Sequence, residues 1–146
     1  MRYVFEDVTP ERSRVMSAIR KRGNKSTELA FRLDLVRAGL KGWIMHASDV
    51  PGCPDFLFPN KRIAVFVDGC FWHGCPKCFR LPVDNRDYWR EKITGNRCRD
   101  RRTSRELNAA GWKVMRVWEH TLKTEKGRLN VVRRLLSAIR RLSSDS

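Results

Sequence analysis

The sequence predicts an α/β fold in which helices flank a mixed central β-sheet that carries a small cysteine-rich knuckle. Three observations predict it. Helical apolar spacings and short apolar runs follow one another in the order helix, helix, three strands, helix, strand, helix, which is the pattern of a mixed sheet covered by helices. The chain has 146 residues, 41% of them hydrophobic, which suits one core and a single domain over 1–146. Its five cysteines are unevenly spread, with three between Cys70 and Cys78.

The first helix is expected over 9–22, with Thr9 as N-cap, Pro10 in the first helical position and Val15, Met16 and Ile19 on an apolar side. Its other faces carry Arg12, Arg14, Arg20, Lys21 and Arg22, which suit either phosphate contact or simple solvation. A second helix is expected over 26–38, where Leu29, Leu33 and Val36 recur at helical spacing and Gly39 supplies a stop. Glu28 falls in its first turn, where the helix dipole alone favours a carboxylate, so its residue-level reading is structural.

Three short apolar runs follow, over 43–45, 55–58 and 63–67, and Pro59-Asn60-Lys61 between the last two predicts a hairpin. Beyond the knuckle, 88–110 reads as a long charged helix with a break near Gly95, ended by Gly111. The run 112–118, rich in Val and Trp, is a further strand. The final helix is expected over 130–142, with Val131, Leu135, Leu136 and Ile139 on one face and a frayed end at 143–146.

Thirty-one Lys and Arg against sixteen Asp and Glu leave a formal charge of +15, a self-repulsion that a polyanion relieves. Nucleic acid is the expected partner, because neutralising phosphates releases their condensed counterions. No run approaches the roughly 18 apolar residues of a membrane span, and the first seven residues contain no signal-peptide core, so a cytoplasmic location with no membrane partner is expected. In a reducing compartment clustered cysteines read as metal ligands before disulfides.

The spacing Cys70-x4-Cys75-x2-Cys78 offers three thiolates to one zinc ion. The fourth ligand must come from Cys53, Cys98, His46, His73 or His120. His73 lies inside the Cys70–Cys75 interval, where the geometry is cramped. His120 follows the predicted strand 112–118 and is preferred, giving a closed and therefore structural Cys3His site.

Asp55, in Pro51-Gly52-Cys53-Pro54-Asp55, opens one hairpin strand, and Asp68 closes the next, so two carboxylates are expected at one end of the sheet. Phosphodiester hydrolysis uses hard cations held by oxygen. Asp55 and the backbone carbonyl near Val67 are candidate ligands. His73, tethered by the knuckle, has the near-neutral imidazole needed to take a proton from water, and Asp100 is its candidate orienting acid. On the residues alone, Asp100 reads more readily as a helical salt-bridge partner of its arginine neighbours.

These residues resemble the very short patch repair endonucleases, a branch of the PD-(D/E)xK nuclease superfamily. The likeness rests on Arg12-Ser13-x2-Met16-x2-Ile19, Pro51-Gly52-x-Pro54-Asp55, Gly69-Cys70-Phe71-Trp72-His73, Tyr88-Trp89, Arg99-Asp100-Arg101-Arg102 and Gly111-Trp112-x-Val114-x2-Val117-Trp118-Glu119, in that order. The resemblance implies a restriction-endonuclease-like fold and magnesium at Asp55 and the Val67 carbonyl. It implies that His73 acts on the attacking water, supported by Asp100, with Glu28 near the active site. It further implies that Phe71, Trp72 and Trp89 wedge into duplex DNA beside a T:G mismatch, although Trp89 taken alone reads as a core aromatic.

The implied function is nicking 5′ to the mismatched thymine, with structural zinc, catalytic magnesium and a cytosine-5 DNA methyltransferase as functional companion in a bacterial cytoplasm. Asp68 and Val67 depart from the family pattern, which has histidine and threonine there, and Asp68 is thereby a further candidate metal ligand. The zinc set of three cysteines and His120 also departs from the family's mixture. A monomer is expected, because one mismatch has no two-fold symmetry to match. Two alternatives use the same residues: a magnesium-dependent nuclease indifferent to mismatches, and a non-catalytic zinc-knuckle module that binds DNA.

Overall fold

The computed structural model describes residues 26–144. The helix expected over 9–22, with Arg12 and Arg14, lies outside them. The described elements are α1 (26–37), β1 (Ile44–Met45), β2 (Phe56–Phe58), β3 (Ile63–Asp68), α2 (Arg86–Ala109), β4 (Lys113–Trp118) and α3 (Glu125–Ser144). The strands form a mixed sheet in the order β1-β2-β3-β4. β1 and β2 pair antiparallel, β2 and β3 pair antiparallel with Phe56 opposite Val65, and β3 runs parallel to β4 with Phe66 opposite Arg116. The hairpin between β2 and β3 turns through a 3-10 segment, Pro59–Lys61, with Arg62 in the left-handed region at φ 54°. The α2 crossover supplies the length that a parallel pairing requires.

Side-chain alternation along β3 separates two cores. Ile63 and Val65 face one side, where Phe31 and Leu35 of α1 and Val131 and Leu135 of α3 are fully or almost fully buried. Ala64 and Phe66 face the other, against Leu107 of α2. Asp68 continues the second parity, and Val67 the first. The two residues at the end of β3 therefore serve different faces of the sheet.

Expectation and structure part in several places. The buried side of α1 is Phe31 and Leu35, while Leu29, Leu33 and Val36 are 54%, 48% and 60% exposed. Phe31 decides this phase: its ring meets Phe56 edge-on at 5.1 Å, and burying a phenyl group is worth about 1.5–3 kcal/mol. A buried ion pair reinforces it, with Arg128 Nε donating to Asp34 Oδ2 at 2.6 Å between α3 and α1. The first strand is two residues, not three, and α2 begins at Arg86 and runs through Gly95 unbroken. α3 starts at Glu125, before the expected 130, because the Thr124 hydroxyl accepts the Gly127 N–H at 3.1 Å and caps the earlier turn. It continues through Ser144, past the expected end at 142.

Candidate active site and metal centre

The knuckle follows β3 directly and is folded by its own backbone. The Cys75 N–H donates to Cys70 O at 2.8 Å, the His73 N–H to Gly69 O at 3.1 Å and the Phe79 N–H to Cys75 O at 2.9 Å. This wrapping brings Cys70, Cys75 and Cys78 together, and the 3-10 turn Glu119–Lys123 after β4 adds His120. Their ligand atoms all lie within 4.8 Å of one another. His120 Nδ1 stands 3.3 Å from Cys70 Sγ and 3.4 Å from Cys75 Sγ. A zinc tetrahedron with Zn–S near 2.3 Å and Zn–N near 2.0 Å has S···N edges of about 3.5 Å. The four residues therefore fit zinc in donor chemistry and in spacing.

Electrostatics divide the thiols. Burial pushes the Cys70 thiol up to about 12. Burial also opposes ionisation of Cys75, yet the backbone N–H groups of Cys78 and Lys77 outweigh it and lower that thiol's pKa. Amides converging on one sulfur are what a metal-binding knuckle presents to a thiolate.

α2 brackets the loop that carries the next groups. Asn96 Nδ2 donates to Trp72 O at 2.8 Å, Arg97 Nε donates to His73 O at 3.3 Å, and Arg97 Nη2 also donates to Gly74 O. One turn on, Asp100 Oδ2 lies 2.5 Å from His73 Nδ1. A carboxylate only accepts, so Nδ1 carries the proton in this pair, and Nε2 is the ring nitrogen turned away from Asp100. Asp100 is thus the imidazole's partner, not simply a helical salt-bridge residue.

Asp68 and Asp55 occupy the same end of the sheet, as expected, but diverge. Asp68, 7% exposed, turns toward α2, with Arg116 Nη1 at 2.9 Å and His73 Nδ1 at 3.9 Å. Burial pushes its carboxyl above the ordinary value, His73 and Arg116 pull it down, and Asp100 and Asp55 add to the rise. Asp55 Oδ2 instead accepts the Val67 N–H at 2.7 Å. It shares a small recess with Glu28, Thr27, Val67 and Leu122. Two carboxylates and the backbone at Val67 give that recess the hard oxygen donors that suit a divalent cation.

Glu28 therefore does more than occupy a helix start. Its Oε1 lies 2.7 Å from His46 Nε2, and His46 Nδ1 lies 3.9 Å from Asp55 Oδ1. His46 holds this place in the left-handed region at φ 50°, a conformation uncommon for a side-chain-bearing residue and often found at functional sites. Sequence reasoning considered His46 only as a zinc candidate and did not single out Arg116. Gly52 approaches so closely that a Cβ would stand 3.1 Å from the Phe66 ring and collide with Thr103, which explains the glycine in the Asp55 turn.

An open cleft runs from Gly52 to α2, with Trp72, His73 and Asp100 on its wall and Lys92 and Arg99 supplying positive charge. Trp72 is partly exposed there, and Phe71, also partly exposed, packs against it with ring centroids 5.5 Å apart. Trp89 is 3% exposed and lies beneath them, its ring centroid 5.3 Å from Phe71 and 6.1 Å from Trp72. It is a buried floor for the two outer aromatics and does not itself present a face to a ligand. Cys53 and Cys98 are exposed and belong to neither candidate metal group. Among the described residues no helix is long and apolar enough to cross a membrane.

Comparison with known proteins identifies the family. The family described as DNA mismatch endonuclease Vsr matches residues 6–79. The type II nicking enzyme V.NaeI of Lentzea aerocolonigenes is 44% identical over 113 residues, covering 75% of this chain and 68% of that protein. The DNA mismatch endonuclease Vsr of Escherichia coli is 39% identical over 116 residues, covering 77% and 71%. The type II nicking enzyme V.NmeAIP of Neisseria meningitidis is 36% identical over 137 residues, covering 90% and 96%. A zinc-compatible knuckle set beside an imidazole–carboxylate pair is thus found in a chain that belongs to the Vsr family of DNA endonucleases.

Proposed function

We propose that this endonuclease nicks one strand of duplex DNA 5′ to the thymine of a T:G mismatch, leaving 3′-hydroxyl and 5′-phosphate ends. The single observation that carries the catalytic part of this reading is the His73–Asp100 contact at 2.5 Å, held at the wall of an open basic cleft, while the mismatch rests on the similarity to the DNA mismatch endonuclease Vsr of Escherichia coli. Asp55, Glu28 and the Val67 carbonyl are the residues that would hold magnesium. When bound there, magnesium supplies positive charge to the scissile phosphate and lowers the pKa of a water. His73 Nε2 takes a proton from the attacking water as its oxygen bonds to phosphorus and the bond to the 3′ oxygen breaks, that oxygen takes a proton from solvent, and Asp100 stabilises the imidazolium that results. His46 keeps Glu28 and Asp55 in register.

Phe71 and Trp72 are the wedges in this reading. They replace lost base stacking with aromatic stacking at a step that unstacks more easily for being mismatched, and Trp89 backs them. Structural zinc at Cys70, Cys75, Cys78 and His120 holds the backbone on either side of His73. The mismatch arises when 5-methylcytosine deaminates, so a cytosine-5 DNA methyltransferase is the functional companion, and the enzyme acts as a monomer in the cytoplasm.

His73→Ala tests the chemistry. Its single-turnover nicking rate is expected to fall about 10²-fold or more while DNA affinity stays within a few-fold, because a proton acceptor acts in the transition state. A rate within threefold of the wild type would remove His73 from the mechanism.

A further inference from the structure

The cluster Asp68, His73 and Asp100 has the composition of a second metal site, its ligand atoms lying within 4.8 Å of one another. A guanidinium already stands in it. Arg116 Nη1 donates to Asp68 Oδ1 at 2.9 Å and lies 3.7 Å from Asp100 Oδ1. Arg116 Nη2 donates to the Asp100 backbone carbonyl at 3.1 Å, and Nε donates to Ser104 Oγ at 2.9 Å. The Cζ of the group lies over the Phe66 ring, 4.2 Å from its centroid. One side chain of β4 thereby fixes the end of β3 and the turn of α2 that contacts His73. The flat fork of arginine makes these bonds simultaneously, and the point charge of lysine does not.

We propose that Arg116 is a positioning residue that holds Asp68 as its counter-ion, keeps metal out of the Asp68–His73–Asp100 cluster, and fixes Asp100 against His73. Asp68 sits on the α2 face of the sheet, whereas Val67 and Asp55 meet Glu28 in the recess beside Leu122. A divalent ion in the cluster would stand against a fixed positive charge at near contact distance, in surroundings that screen it poorly. Asp68 is in this view one half of an ion pair whose other half is Arg116. The proposal rests on the reading of His73 as proton acceptor and Asp55 as magnesium ligand.

The test uses the full zinc-loaded chain and the variants Arg116→Met, Asp68→Asn and their combination, with zinc content and circular dichroism confirming the fold. Arg116→Met is expected to slow single-turnover nicking about a hundredfold with DNA affinity within about threefold, the scale of a catalytic group displaced by about 1 Å. The double variant is expected to regain at least about tenfold, since it no longer leaves a buried carboxylate unpaired. Manganese(II), titrated alone and read by electron paramagnetic resonance, is expected to bind Asp68→Asn as tightly as the wild type.

An Arg116→Met rate within threefold of the wild type, a double variant no faster than Arg116→Met, or manganese binding weakened tenfold or more by Asp68→Asn would overturn the proposal. If Arg116→Met does not fold, Arg116→Lys decides: a roughly tenfold slower rate at unchanged DNA affinity supports the fork, and a wild-type rate overturns it. Asp55→Asn separates this proposal from the reading beneath it, because undiminished manganese binding there would count against the Asp55 assignment alone.

Discussion

Asp55→Asn is expected to lower single-turnover nicking of a T:G duplex by roughly 10³-fold or more, equivalent to about 4 kcal/mol of transition-state stabilisation. Asparagine keeps the shape and can still meet the Val67 amide, which donates to Oδ2 at 2.7 Å. The charge that holds a hard cation is lost, together with its pull on His46, 3.9 Å from Oδ1. DNA affinity should change little, because most of it comes from basic residues on a chain of net charge +15 and depends on salt. Single-turnover rates and equilibrium binding at one fixed salt concentration separate the two effects. Weakened binding with an unchanged maximal rate would assign Asp55 to DNA contact.

The second large effect concerns zinc. Elemental analysis of the purified chain is expected to find about one zinc per molecule, and Cys75→Ser is expected to lose it. Structural zinc sites contribute on the order of 10 kcal/mol to folding, comparable with the whole stability of a small domain. Cys75 is 1% exposed, and the loop from Gly69 to Phe79 is wrapped on its backbone, so the loss should reach His73, two residues away. A zinc-selective chelator with magnesium in excess should therefore abolish nicking and release the knuckle to proteolysis. Zinc must displace the proton of Cys70, whose thiol lies at about 12 without metal, so zinc retention should weaken as the pH falls. Full activity in a zinc-free chain would remove this part of the account.

The sheet was legible because β3 and β4 are short runs rich in Val, Ile, Phe and Trp bounded by turn residues, where composition and length agree. The Cys3His group was legible because three of its members are local and His120 follows a recognisable strand. The phase of α1 was not. Leu29, Leu33 and Val36 have helical spacing, but so do Phe31 and Leu35, and periodicity cannot rank two apolar faces until Phe56 is there to receive one of them. Gly95 looked like a break, yet it faces open space inside a long helix, where its cost of about 1 kcal/mol is spread over many turns.

The site divides in the same way. Asp55, His73 and Asp100 carry motif or family signals, and the structure brings His73 and Asp100 together across 27 residues. The opposite turns of Asp55 and Asp68 do not follow from the hairpin register, which would set Asp55 across from Phe66 on the Asp68 face; Asp55 precedes β2, and its carboxylate reaches the Val67 amide instead. His46 and Arg116 carried no signal pointing to these roles, because their partners are distant in sequence: Glu28 lies 18 residues from His46, and Asp68 lies 48 residues from Arg116. The Trp89 indole reads as either wedge or core in the sequence, and its burial under Phe71 and Trp72 decides for support.

The most direct test of the central claim is strand nicking on end-labelled duplexes that differ only in a T:G mismatch or a T:A pair, with magnesium and with chelator. Magnesium-dependent cutting of the thymine strand of T:G, immediately 5′ to the thymine, is expected, with little or no cutting of T:A. Equal cutting of both duplexes would contradict mismatch recognition while keeping the endonuclease, and tight binding without cutting of either would contradict the catalytic reading altogether.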